Sequence, residues 1–254
     1  MKVDVLGCSG GELPRHRTTC FLVDGVMAID AGALTATLPL EELLAIDDIV
    51  LTHSHFDHVK DVPLLADLLV GRRKRPVVVH ASTECARTLR ESVFNDLLWP
   101  DFTRIPDAAH PVLRIDPFHP ERRFKVGKYT IRPVPVCHPV ESVGLVVEDG
   151  RSAFAISGDT GPTRRFWEQV NASRKVKALL VEMSFPNALQ ALADVSGHLT
   201  PNTLAGELSK LDRDGIPVWL YHLKPAYMAE LKRELAALAL RNVRVLSRGD
   251  RLRL

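Results

Sequence analysis

The chain has 254 residues, 46% hydrophobic and 25% charged, with 33 lysine and arginine against 31 aspartate and glutamate residues. That composition belongs to a globular protein able to bury a substantial core, and it excludes a disordered or fibrous chain. The net charge of +2 gives no electrostatic ground for a nucleic acid partner, and no apolar run is long enough to span a membrane.

Residues 2–7 (KVDVLG), 19–24 (TCFLVD), 26–32 (VMAIDAG) and 48–53 (DIVLTH) are rich in β-branched and apolar residues and predict strands. Helical spacing follows in 40–46 and 62–71. The basic GRRKR run at 71–75 reads as a solvated helix C-terminus, where cations suit the dipole. Residues 77–81 predict a strand, and 82–98 a helix that starts at a Ser/Thr cap. Residues 99–120 carry five prolines and little periodicity, and predict an irregular excursion near a site mouth. Strands are then expected at 128–136, 143–149, 152–157, 177–183, 216–222 and, last, 242–247. Helices are expected at 163–171, 203–211 and 226–238. Phe166 and Trp167 read as packing residues. No repeat or linker divides the chain, so residues 1–254 predict a single α/β domain with two sheets covered by helices.

The start MKVDVLGCSGG lacks the apolar run of a signal peptide. Cys8, Cys20, Cys85 and Cys137 form no CxxC pair and read as buried free thiols, consistent with a reducing cytoplasm.

Residues 52–58, THSHFDH, put three of the ten histidines and an aspartate into seven positions. His53 and His55 are two apart where a strand runs out, so they point to the same side. Asp57 and His58 follow where the chain turns into a helix. Imidazole nitrogen and carboxylate oxygen suit zinc, iron or manganese. One metal needs three or four protein ligands and two need more than this motif holds, so further ligands are expected downstream at strand ends. His138, Asp159 and His222 each stand at the end of a predicted strand, where loops build sites. His16, His80, His110 and His119 have no such context.

In THSHFDH, His138, the aspartate of SGDT and the late strand-end His222, the sequence resembles the metallo-β-lactamase superfamily. LGCSGG and AIDAG match as well. The resemblance implies a four-layered αββα sandwich, two mixed sheets with helices on the outer faces. It implies one metal held by His53, His55 and His138, and a second held by Asp57, His58 and His222, with Asp159 bridging. VEMSFP, SGHLTP and YHLKP further resemble the class II cyclic nucleotide phosphodiesterases, which hydrolyse 3′,5′-cyclic nucleotides to nucleoside 5′-monophosphates. Glu182 with GHLTP also resembles the Glu and His pair of tRNase Z.

Phosphodiester hydrolysis needs a hydroxide, charge neutralisation on the phosphoryl oxygens and a proton for the leaving alkoxide. Two divalent ions, zinc first with manganese or iron as alternatives, supply the first two through a bridging hydroxide that Asp57 can orient. His198 is the candidate acid, and Glu182 could hold its imidazole protonated. Lys224 and Arg15 to Arg17 could add charge near the phosphate. The substrate implied is a small cyclic nucleotide, with no membrane and with a homodimer left open. The competing readings are a tRNase Z-like ribonuclease, which lacks here a visible arm for tRNA, and a thioester or lactone hydrolase, which needs no acid and leaves GHLTP unexplained. A metal-free scaffold is disfavoured by seven ligands whose burial would cost desolvation for nothing.

Overall fold

Alternation along the strands sorts the apolar side chains into two faces. The computed structural model describes residues 1–254 and shows where each face is buried. In β1 (Lys2–Gly7), β2 (Cys20–Val23), β3 (Met27–Ile29) and β4 (Asp48–Val50), one face carries Val5, Phe21, Ile29 and Val50. These pack against Ile131 of β8 (Tyr129–Pro135), Leu145 of β9 (Val143–Glu148), Phe154 of β10 (Ala153–Ile156), Leu180 of β11 (Val176–Glu182) and Tyr221 of β12 (Val218–Tyr221). That cluster is the contact between two sheets.

The opposite faces meet helices. Leu22, Ala28 and Ile49 pack on Leu43 of α1 (Leu40–Leu43), on Val62 and Leu65 of α3 (Asp61–Leu69) and on Cys85 of α4 (Thr83–Thr88). Ala155, Leu179 and Leu220 pack on Phe166 and Trp167 of α5 (Arg165–Ala172), Leu204 of α7 (Pro201–Leu208) and Leu231 of α8 (Met228–Leu238). Three apolar clusters between four layers are the expected αββα sandwich.

Each sheet has seven strands. The first adds β5 (Val77–Ser82), β6 (Leu113–Phe118) and β14 (Arg251–Arg253), in the order β14-β1-β2-β3-β4-β5-β6. The second adds β7 (Phe124–Val126) and β13 (Val243–Val245), in the order β13-β12-β11-β10-β9-β8-β7. Both are mixed: β3 to β6 run parallel in the first, and β10 to β13 in the second.

Several expectations need correction. The 82–98 helix stops early: α4 is followed by one π-helical turn at Leu89–Val93, and then Asn95 Oδ1 accepts from the backbone N–H of Leu97 and Leu98. Residues 99–120 are not irregular throughout. Phe102 and Val112 join the cluster outside the first sheet, Trp99 Nε1 donates to the Pro63 carbonyl, and β6 lies within the segment. The strand at 242–247 is not the last, since β14 follows and pairs with β1. Arg73 of the basic run is not solvated. It donates to the carbonyls of Leu44 and Ile46 and to Asp47 Oδ1 at 2.6 Å, fastening the end of α1. Cys8, Cys20 and Cys85 are buried free thiols as expected, but Cys137 is exposed.

Candidate active site

β4 ends at Val50, and the chain continues through Leu51 and Thr52 to His53 and His55, which is the extended N-cap residue of α2 (Phe56–Val59). Asp57 and His58 lie in that single helical turn. One strand-to-helix loop thus presents four ligand-type side chains, with His53 and His58 fully buried. The second sheet supplies the rest from the same edge of the sandwich. His138 sits in the β8–β9 connection, Asp159 follows β10, and His222 follows β12 at a left-handed φ of 67°. That conformation is uncommon for a side chain larger than glycine and marks a site held by its surroundings.

The ligand atoms of His53, His55 and His138 lie within 4.8 Å of one another, as do those of Asp57, His58 and His222. Asp159 joins the two groups: its Oδ2 is 3.2 Å from His58 Nε2, 3.1 Å from His222 Nε2 and 3.9 Å from His53 Nε2. All seven ligand-type residues expected from the sequence therefore meet in one place. His53 Nε2, His58 Nε2 and Asp159 Oδ1 are buried with no hydrogen-bond partner. A buried unpaired polar atom costs about 1–3 kcal/mol, and three converging on one point are what a cation would satisfy. Nitrogen and carboxylate donors in this arrangement suit a divalent transition metal.

The rings are oriented from behind. His58 Nδ1 faces Asp30 Oδ2 at 2.7 Å, which turns Nε2 toward the cluster. Asp30 also accepts from the backbone N–H and hydroxyl of Thr52, at 2.8 and 2.9 Å. His138 Nδ1 donates to the Gly197 carbonyl at 3.0 Å. Gly197 has φ 64°, and a Cβ there would lie 2.9 Å from His138 Cα, so glycine is required for this approach.

Beside the metal-type cluster, His198 Nδ1 lies 3.0 Å from Glu182 Oε1. The same carboxylate accepts from the backbone N–H of Thr160 and Leu199, at 3.1 and 3.2 Å. Ser184 joins this pair to the metal-type residues. Its hydroxyl donates to Glu182 Oε2 at 3.0 Å and accepts from His222 Nδ1 at 2.8 Å. Sequence reasoning did not single out Asp30 or Ser184. The signal for Asp30 was a carboxylate ending an apolar strand in AIDAG, which must be paired if buried. Ser184 offered only its place two residues after Glu182.

A family model for the beta-lactamase superfamily domain matches residues 19–217. The chain belongs to the beta-lactamase superfamily. Within that superfamily it is 28% identical over 234 residues to a probable 3′,5′-cyclic-nucleotide phosphodiesterase of Yersinia pestis, covering 81% of this chain and 66% of that one. It is 25% identical over 204 residues to 3′,5′-cyclic-nucleotide phosphodiesterase 1 of Saccharomyces cerevisiae, covering 71% and 55%. The chain thus spans between about half and two thirds of the length of these curated relatives. Among solved structures, unliganded yeast PDE1 superposes with a TM-score of 0.83 at 22% identity, over 100% of this chain and 99% of that one. The short form of human tRNase Z gives 0.72 at 16%, covering 100% and 99%. These superpositions establish the superfamily fold, and that fold implies divalent metal binding.

The charges of this superfamily site depend on one another. Burial opposes a charged His58, but Asp159 and Asp30 override it and hold its pKa well above the usual histidine value. Burial and the neighbouring imidazoles push His53 well below. Binding of a metal at His58 Nε2 must therefore displace a proton. Below the raised pKa the proton competes, and above it the competition ends. Zinc affinity should rise with pH across the neutral range, measured by competition with a chelating dye. A flat profile would mean that His58 is already neutral.

The additional cations separate. Lys224 lies near His198: its Nζ is 5.6 Å above the ring of Phe185, which packs against His198. Arg15 to Arg17 are not at the metal-type cluster but line a neighbouring cavity. His80 is bound to Asp48 Oδ1 at 2.8 Å, and His110 is exposed beside Asp107, so neither is drawn into the site.

Proposed function

We propose that this chain is a metal-dependent phosphodiesterase that hydrolyses 3′,5′-cyclic nucleotides to nucleoside 5′-monophosphates. The observation that carries the reading is a protonatable histidine, His198, beside the metal-type cluster: its ligand atom lies within 4.8 Å of those of His138 and Asp159. The thiolate of a thioester leaves without such a donor, whereas the O3′ alkoxide does not. The names of the Yersinia and yeast relatives support the cyclic substrate.

His53, His55 and His138 would hold one divalent ion, and Asp57, His58 and His222 a second, with Asp159 between them; zinc fits the donor set best. When bound, such ions acidify a water and neutralise phosphoryl charge. Asp57 would orient that water, being the more exposed of the two carboxylates at the cluster. His198 donates its Nε2 proton to O3′ as the P–O3′ bond breaks. Burial disfavours its charged form, but the charge and hydrogen bond of Glu182 raise its pKa above the ordinary value and so favour the protonated ring. Phe56 is 72% exposed beside Asp57 and offers an aromatic face to a planar base. Because both sheets contribute ligands, residues 1–254 act as one domain in this reading.

A panel of 3′,5′- and 2′,3′-cyclic nucleotides, a tRNA precursor, a glutathione thioester and bis-p-nitrophenyl phosphate tests the assignment. The expected product is a 5′-monophosphate from a 3′,5′-cyclic nucleotide. Turnover of tRNA or thioester with cyclic nucleotides left intact would overturn it.

Ser184 acts in this scheme as a positioning residue, fixing His222 and Glu182 through one hydroxyl. Ser184→Ala should lower kcat on cyclic nucleotides about ten- to a hundredfold with KM nearly unchanged. Ser184→Thr should restore most of the loss. An unchanged kcat, or no rescue by threonine, would show that the hydroxyl does not orient the pair.

A further inference from the structure

A cavity of about 440 Å³ opens behind His222, and its lining shares no residue with the metal-type cluster or with the His198–Glu182 pair. Its rim carries Arg15, Arg17, Lys232 and Arg248, with no carboxylate in the lining. Arg17 is engaged, donating to the Leu13 carbonyl at 2.9 Å and lying 3.5 Å from Glu12. Arg15, Lys232 and Arg248 make neither an ion pair nor a side-chain hydrogen bond. All three are exposed, so water and salt screen their mutual repulsion, and an anion seated among them would be attracted by all three. The floor is apolar: Cys8, Leu223 and Leu246 are buried beneath the rim. A volume of this size with an apolar floor and a few convergent charges is that of a small-molecule site.

We propose that this cavity is a second binding site, which takes a phosphate monoester bearing a planar or apolar body, such as a nucleoside monophosphate. The phosphate sits among Arg15, Lys232 and Arg248 and the body lies on Leu223 and Leu246. The site is one backbone thickness from the metal-type cluster. The His222 N–H donates to the Cys8 carbonyl at 2.7 Å, the Gly10 N–H donates to the Leu223 carbonyl at 3.1 Å, and Ser9 bridges to Leu223. A Cβ on Gly10 would lie 2.8 Å from His222 Nδ1, so this strip has no slack against the ligand-type ring. A ligand ordering Ser9 and Leu223 therefore acts on the position of His222.

Calorimetric titration of the metal-loaded protein with AMP, inorganic phosphate and adenosine tests the proposal, with Arg15→Glu/Arg248→Glu as the comparison. AMP should occupy a site in the wild type that is weakened at least about tenfold in the variant and by added salt. Phosphate should bind it more weakly than AMP, and adenosine should not. Metal content and hydrolysis of bis-p-nitrophenyl phosphate in the absence of AMP should be unchanged. If the charge reversals reduce metal content, Arg15→Gln/Arg248→Gln gives the same comparison without new repulsion. AMP isotherms identical in wild type and variant would overturn the proposal, as would phosphate binding as tightly as AMP. No arm depends on turnover of a cyclic nucleotide, so failure of the phosphodiesterase reading would leave this result standing.

Discussion

Asp159→Ala protein is expected to retain at most one tightly bound metal ion per chain and, in the proposed reaction, to lose at least about 10³-fold of phosphodiester turnover. Asp159 is buried, and it alone reaches His53, His58 and His222 with the same carboxylate oxygen. Removing it leaves three imidazoles facing one another without the anion between them, and the two ligand groups lose their common member. Elemental analysis after reconstitution with zinc, manganese or iron reads the stoichiometry directly, and the wild type should approach two. A variant that still holds two ions would show that the bridge lies elsewhere. A wild type that takes up none would remove the metal-dependent reading altogether.

For His198→Ala the expected result is a loss that depends on the leaving group. Cyclic nucleotide hydrolysis should slow by about 10²-fold or more, while bis-p-nitrophenyl phosphate should be much less affected, because nitrophenolate departs without a proton. Metal content should be unchanged. The pH profile gives a second readout. The pKa of His198 is raised, so the acid is protonated below it and lost as pH rises through it. The rate on cyclic nucleotides should therefore carry an alkaline limb at higher pH than an unperturbed histidine would give, and Glu182→Gln should move that limb to lower pH. Equal losses on both substrates would make His198 a phosphate-binding or shaping residue. A drop in metal would make it a ligand.

The ligand-type residues were legible because their chemistry needs particular side chains at strand ends, and a strand end can be read locally. The two-sheet sandwich was legible from the strand runs and the resemblance together. What could not be read was anything set by a distant partner. Asp30 meets His58 from 28 residues away and Ser184 meets His222 from 38; AIDAG signals that Asp30 needs a partner, but nothing near either residue says which partner that is. Strand β6 was hidden because it is an edge, with Arg114, Asp116 and Pro117 exposed in a segment already rich in proline. Helix α6 (Gln190–Ser196) was missed because it buries only Ala193 and leaves Leu192 and Val195 outside, so it has no inward stripe. The helix expected at 82–98 ran too long for the converse reason: Leu97 and Leu98 continue an apolar pattern but are 92% and 64% exposed.

Drawing ligands from both sheets has a mechanical consequence. His53, His55, Asp57 and His58 follow β4 of one sheet, while His138, Asp159 and His222 hang from the other. An ion held by residues of both would be a rivet through the seam of the sandwich, at the edge where the apolar contact between the sheets gives way to polar atoms. Anything that binds the folded chain and not the unfolded one stabilises it by mass action, by about 4 kcal/mol at a thousand times its dissociation constant. In the metal-bound reading, the resistance of this fold to being pulled open would depend partly on the free metal around it, and loss of metal would weaken the joint as well as the chemistry.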